Sequence, residues 1–352
     1  MAAKRRAARR SPSDGSGSGG SPGYGLVRLK DFIGNQELVS RLMRASLPQS
    51  ALFAGPEGVG KKTLALGLAA RTDCRNRSGE DFCGNCESCV KVAGGNHPDI
   101  RLVQATGASI GIETVRQLTR EARFRPFQGA CRVFVLDQAE KMTREAANSI
   151  LKTLEEPAET SRIILTTAFP NQLLPTIRSR CQLFVFRPLT RNQLRSYLEF
   201  RYGADEADLR AAFAAGSIGR ALQLDLEQAL QDRDRVLAVL QQWLSNASFT
   251  QLFEACEEEP MRRHLKSRER VREYLETLRH VAEDLYFLRT GTESRMVNLD
   301  RRDRLLELAE RVDLDWIRDL LYHLREARED LDRNVQPLFC FETLWLKLAG
   351  RA

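Results

Sequence analysis

Residues 51–70 read ALFAGPEGVGKKTLALGLAA, and this stretch limits the possible folds of the chain more than any other. A short apolar run ends in a glycine-rich turn, and the turn opens a helix rich in alanine and leucine. Gly55, four further residues, Gly60 and Lys61 match a phosphate-binding loop, in which backbone N–H groups cradle phosphate and the lysine neutralises its charge. Such a loop places Ser or Thr directly after the lysine to hold Mg²⁺. Here Lys62 takes that position, and Thr63 follows one residue late, turned by ~100° on a helix. The loop is therefore expected to be able to hold the phosphates of ATP while failing to place the metal needed for hydrolysis. Gly55, Gly58, Gly60, Lys61, Lys62 and Thr63 are the candidate contacts.

Further apolar runs continue the same architecture. DIRLV (Asp99 to Val103), RVFVLD (Arg132 to Asp137), RIILTTA (Arg162 to Ala168) and QLFVF (Gln182 to Phe186) read as strands. Helical patterns such as ETVRQLTREARF from Glu113 and TREAANSILKTLEE from Thr143 separate them. Apolar strands spaced by helices imply a parallel sheet covered on both faces, an α/β nucleotide-binding domain over 25–188. After RPL the strand signals stop. Thr190 is an expected N-cap and Gly216 an expected helix stop, and long amphipathic helices run from about Leu226 to the end.

The chain has 352 residues and a net charge of +7. Lys4, Arg5, Arg6, Arg9 and Arg10 against Asp14 concentrate most of that excess in the first 24 residues, which continue as a Gly/Ser/Pro-rich stretch with nothing apolar to bury. Residues 1–24 are expected to be disordered. No apolar run approaches the ~20 residues of a membrane span, and no apolar segment follows the N-terminal charges, so a cytoplasmic location is expected. In that compartment clustered cysteines are expected to bind metal rather than form disulfides.

Such a cluster exists. Cys74, Cys83, Cys86 and Cys89 are spaced C-x8-C-x2-C-x2-C, which suits one tetrahedral Zn²⁺ with every position filled by sulfur, a structural site without room for substrate. An iron–sulfur cluster fits less well, because the fourth cysteine lies upstream and no downstream C-P is present. Cys131, Cys181, Cys256 and Cys340 are scattered and expected to be buried as small apolar residues. His264, His280 and His323, on charged helices, are expected at the surface, and His97, before Pro98, is expected to be structural.

A second candidate segment is VFVLDQAEKM. Asp137 stands where phosphate-loop ATPases hold Mg²⁺, but the following residue is Gln138, which cannot accept a proton from water as a Glu would. Glu140, two residues on, would point the same way as Gln138 if the strand stayed extended.

DFIGNQELVSRL, the phosphate loop, the four-cysteine insert, HPDI, AANSILKTLEEP and LLPTIRSRCQ together resemble the AAA+ subunits of bacterial sliding-clamp loaders in DNA polymerase III holoenzyme. The resemblance covers about 26–352 and is strongest over 32–189. Lys62 and Gln138 depart from the tau/gamma motor pattern and resemble the delta-prime branch, whose implied role is a stator that need not hydrolyse ATP. The resemblance also implies a helical lid (189–225), a helical collar (226–352) that holds the subunits in a gapped ring, and partnership with tau/gamma and delta subunits, the sliding clamp and, through the complex, primed DNA. Arg180 precedes the last strand, so a parallel sheet puts it at the edge opposite the phosphate loop, ~17–20 Å away. There it can reach only a neighbour's nucleotide; the resemblance implies an arginine finger supplied in trans, against the plainer reading of a helix C-terminal cap. Thr166 and Thr167 match the phosphate-sensing strand end, and Arg220, beside Gly219, lies one position off the lid's sensing arginine. Two other readings stay open: an active motor in which Thr63 and Glu140 replace the lost groups, and a zinc-dependent DNA-binding protein, against which the nearly neutral body of the chain speaks.

Overall fold

Five strands form one all-parallel sheet in the order β2-β3-β4-β1-β5 in the computed structural model. Residues 24–77, 79–246, 267–333 and 335–349 are described. The basic N-terminal tail, Cys256 and His264 therefore lie outside the described residues, apart from Tyr24. The chain divides into two compact units, Met1–Arg187 and Pro188–Ala352.

In the first unit, β1 (Ser50–Ala54) and β3 (Arg132–Leu136) are buried along their whole length. β2 (Ile100–Val103), β4 (Ser161–Thr167) and β5 (Gln182–Val185) complete the sheet. These strands agree with the apolar runs to within about a residue. β4 lies between β1 and β3 although it follows both in sequence, which brings Thr167 level with Ala54, and Leu165 level with Leu136. The carboxyl ends of three strands thereby meet on one rim, where ligands of open parallel sheets bind. β5 is an edge strand: Phe184 packs inward against Phe53, but Leu183 and Val185 are exposed, so cover on both faces fails there.

Around the sheet run α1 (Gln36–Arg44), α2 (Lys61–Asp73), α3 (Glu87–Ala93), α4 (Ile112–Glu121), α5 (Arg144–Glu155) and the short α6 (Pro175–Arg178). In α2, Leu64 to Ala70 are all buried, because this helix is apolar on every side and is covered on every side. Thr143 caps α5 by accepting from the Ala146 N–H, and α4 with α5 closes a core of Val115, Leu118, Ile150 and Leu154 against the sheet. Each such side chain contributes about 1.5–3 kcal/mol on burial.

The second unit is helical: α7 (Arg191–Tyr202), α8 (Ala204–Phe213), α9 (Ile218–Gln223), α10 (Leu226–Asn246), α11 (Arg268–Thr290), α12 (Arg302–Glu310), α13 (Leu314–Asp332) and α14 (Pro337–Ala349). Thr190 and Gln193 form a reciprocal capping box at the start of α7. The core joins Leu237, Leu240 and Trp243 of α10 with Leu278 and Val281 of α11 and Phe341 and Trp345 of α14. Arg191 donates to the Met296 carbonyl and pairs with Asp208, so the segment before Leu226 and the long helices after it belong to one packed body. His280 is buried, contrary to the expectation of a surface residue: it lies one helical turn from the buried Glu276 and Asp284, on the side of α11 turned ~200° from Leu278, with its ring 6.3 Å from that of Phe213. His323 is half-buried and bonded to Glu326. Cys131 and Cys340 are buried as expected, whereas Cys181 is only half-buried. Among the described residues no helix is long and apolar enough to cross a membrane.

Candidate functional site

The loop from β1 into α2 has little room for side chains. Gly60 caps α2 with φ of 96°, and a Cβ there would lie 2.7 Å from the Phe32 ring. At Gly55 a Cβ would lie 2.5 Å from the Phe186 carbonyl oxygen. Lys61, at the first position of α2, is buried, and its Nζ donates to the Gly55 and Pro56 carbonyls, both at 2.7 Å. Burial pushes its pKa down, against the nearby charges of Glu140, Asp137 and Glu57. Its ammonium thus lies inside the loop whose bound phosphates it would neutralise.

Lys62 turns towards Asp137 at the end of β3, with Nζ 3.4 Å from Asp137 Oδ2. Gln104 Nε2 donates to the same oxygen at 3.1 Å, and Thr166 Oγ1 donates to Oδ1 at 2.7 Å. The register supplies both neighbours: Gln104 follows β2 and Thr166 is the last residue but one of β4, the strands on either side of β3. The carboxylate expected to hold Mg²⁺ therefore already has an ammonium and two neutral donors around it. Mg²⁺ requires a nearly octahedral set of oxygens at ~2.0–2.1 Å, and with Lys62 in the hydroxyl position this donor set does not fit it.

Gln138 has a left-handed backbone, φ 56°, and its N–H donates to Thr166 Oγ1. The chain then enters a tight turn over Ala139–Lys141 rather than continuing extended, so the expectation that Glu140 points as Gln138 does is corrected. Glu140 Oε1 instead accepts from the Ala168 N–H at 3.2 Å, while Oε2 is buried without a partner. Of the two strand-end threonines, Thr166 faces Asp137, whereas Thr167 accepts from the Phe169 N–H.

Arg180 lies beyond α6 and ahead of β5, whose Gln182 pairs with Ala51 near the start of β1. The phosphate loop leaves from the other end of that same strand. Arg180 Nε donates to Glu155 Oε2 at 2.9 Å and Nη1 to the Thr176 carbonyl at 3.2 Å, and the side chain remains partly exposed. Glu155 closes α5, so the end of one helix aims a guanidinium standing beyond another. In the helical unit, Arg220 lies 3.8 Å from the buried Glu276, which also pairs with Arg279 and Arg328.

The four cysteine sulfurs converge within 4.8 Å of one another. Cys74 Sγ is 3.6 Å from that of Cys83 and 4.0 Å from that of Cys86, and Cys83 and Cys89 are 3.9 Å apart. Zinc–sulfur bonds of ~2.3 Å set tetrahedral edges at ~3.8 Å, so the donor set fits Zn²⁺. N–H groups of Cys83 and Cys86 point at the sulfurs of Cys74 and Cys83. At Cys86 burial favours the thiol, but the Cys89 and Arg75 N–H groups outweigh it and bring the pKa to about 6.

Beside this module lies a group that sequence reading missed beyond a structural His97. Asp73 ends α2 next to Cys74, and Asp99 opens the way into β2. Asp99 accepts the N–H groups of Phe127, Gln128 and Gly129, and Asp73 accepts that of Ala130. The Asp99 N–H donates to His97 Nδ1, which leaves the ring Nε2 facing Ser88 of α3 at 3.1 Å. The two carboxylates thus latch the loop before β3 while the imidazole ties that latch to the cysteine module. The HPD triplet was the available signal.

Residues 34–190 match the family model described as DNA polymerase III, delta subunit. The delta' subunit of DNA polymerase III from Bacillus subtilis (strain 168) is 38% identical over 152 residues, 43% of this chain and 46% of that protein. The tau subunit from the same strain is 24% identical over 351 residues, 91% of this chain and 61% of the relative. A gamma/tau subunit from Mycobacterium tuberculosis (strain ATCC 25618 / H37Rv) is 38% identical over 180 residues, 50% of this chain and 31% of the relative. The chain covers less than two thirds of each. The first unit, a parallel sheet with a glycine-rich phosphate-type loop at its rim, is thus similar to subunits of DNA polymerase III, at the level that delta' and tau/gamma share.

Proposed function

We propose that this chain is a delta-prime-type stator of a DNA polymerase III clamp loader. It would help to load the sliding clamp onto primed DNA in the cytoplasm, together with tau/gamma and delta subunits. Its own pocket contributes no hydrolysis. Two catalytic groups are replaced, the metal-binding hydroxyl by Lys62 and the base by Gln138. Arg180 is the residue that acts, by lending positive charge to the nucleotide of the adjacent motor subunit. Residues 189–225 serve as lid, 226–352 as collar, and zinc on Cys74, Cys83, Cys86 and Cys89 as a structural brace. The carrying observation is the position of Arg180, at the sheet edge away from its own phosphate loop and held there by Glu155.

The test is reconstitution with motor subunits and either wild-type chain or Arg180→Ala. Turnover at the site that Arg180 serves is expected to fall by about 10³, the usual range for losing an arginine finger, while gel filtration shows the same assembly. Full clamp- and DNA-stimulated ATPase with the variant would refute the role in trans.

The motor reading keeps one supporting observation: Glu140 has a buried, unpartnered oxygen near Lys61. It predicts Mg²⁺-dependent ATP hydrolysis by the isolated chain, abolished by Lys61→Ala; the stator reading predicts none.

A further inference from the structure

Lys62 does more than delete a metal ligand. Its Nζ stands 3.4 Å from Asp137 Oδ2, so the replacement puts a cation beside the very carboxylate that a metal would use. Asp137 gains no spare donor capacity from its neighbours, since Gln104 takes part of Oδ2 and Thr166 takes Oδ1. A divalent ion entering here would have to displace an ammonium from its counter-ion, with Lys61 a second positive charge on the preceding residue. The loop itself keeps its phosphate-binding form, with Lys61 directed at the Gly55 and Pro56 carbonyls and no Cβ at Gly55 or Gly60 to fill it.

We propose that Lys62 is a built-in substitute for Mg²⁺, so that this pocket takes a nucleoside di- or triphosphate in its metal-free form. Lys61 and Lys62 together supply the positive charge that a lysine and a metal share in hydrolysing relatives of the fold, and Asp137 orients Lys62 rather than an ion. A nucleotide held in this way is retained without being cleaved, because no metal polarises its phosphates and no Glu follows Asp137. The inference deepens the stator reading and rests on its silent pocket.

The experiment is a titration of the full-length chain with fluorescently labelled ADP and ATP, in Mg²⁺ and again in EDTA. Wild-type affinity is expected to be the same in both to within about twofold. Lys62→Thr restores the hydroxyl and frees Asp137, so its affinity is expected to become metal-dependent, weaker in EDTA by about tenfold or more. Lys62→Met, which supplies neither charge nor ligand, is expected to weaken binding under both conditions. The Lys62 side chain is about half exposed, so these variants leave the core untouched, and an unchanged melting temperature verifies it. Wild-type binding that tightens about tenfold with Mg²⁺ overturns the proposal, as does wild-type chain that binds neither nucleotide. Either result leaves the role of Arg180 intact, because that is read from the ATPase of the assembled complex; an inert Arg180→Ala would equally leave the metal comparison standing.

Discussion

At the scale of single residues, the phosphate loop is constrained by close approach more than by chemistry. Gly60 combines φ of 96° with a position where a Cβ would meet the Phe32 ring at 2.7 Å. Gly60→Ala is expected to cost at least ~1–3 kcal/mol from the backbone alone, with the ring contact in addition, read as a lowered denaturation midpoint. Adding Phe32→Leu should recover the part due to the ring and leave the part due to φ; full recovery would show that the backbone is not strained. The close packing of Gly55, Gly60 and Lys61 into one turn was legible in their spacing, because such a loop is local and its residues sit at fixed separations. The pairing of Lys62 with Asp137 was not legible. It depends on which strand lies beside which, and strand order is not written in any local pattern. Glu140 failed for a related reason: alternation along a strand holds only while the strand continues, and here the backbone turns at Gln138.

At the scale of elements, the cysteine module, α3 and the loop before β3 act as one piece. Cys86 caps α3, Cys89 lies within it, and Ser88 of the same helix meets His97. The prediction is that the purified protein carries about one zinc per chain. Chelation should expose the four thiols to a thiol reagent and remove the hydrogen-exchange protection of α3 and of the loop at 127–130. Protein free of metal, with α3 equally protected, would count against a structural zinc. The convergence of the four sulfurs was legible in their spacing, since four cysteines within sixteen residues suit a single tetrahedral ion. The latch by Asp73 and Asp99 was hidden, because it joins residues almost thirty to sixty positions apart through backbone N–H groups that carry no signature in the side chains. The strands themselves were legible from apolar runs, with the edge strand β5 the exception in its exposed Leu183 and Val185.

At the scale of the whole molecule, the two units can be followed separately, because Trp243, Trp316 and Trp345 all lie in the helical one. Its response to acid should be dominated first by His280. Burial, and then the charges of Arg279 and Arg220, push this imidazole down to about 3, with Glu276 opposing. An unfolded chain binds that proton near the ordinary value of ~6.5, so stability is lost as pH falls below ~6.5 towards 3. At Glu276 burial raises the pKa, but Arg279 and Arg328 outweigh it and hold it below the usual carboxylate range. Its contribution is present above that range and fades only in stronger acid, beneath the glutamate value of ~4.3. Tryptophan-monitored melting should therefore fall between pH 7 and pH 5, and His280→Leu should flatten that slope; an unchanged slope would mean that the imidazole takes up its proton while still folded. The burial of His280 escaped sequence reading because it lies on the charged side of α11, between Glu276 and Asp284, and meets the Phe213 ring through a contact that no local pattern announces. The phosphate loop and Arg180 stand at opposite ends of neighbouring strands, and this gives the first unit a polarity, like an arrow with a socket at its tail and a prong at its head. On the proposed stator reading, copies of such a body laid side by side would all face the same way, and a member whose socket does not hydrolyse could begin the row but not serve as a further catalytic link.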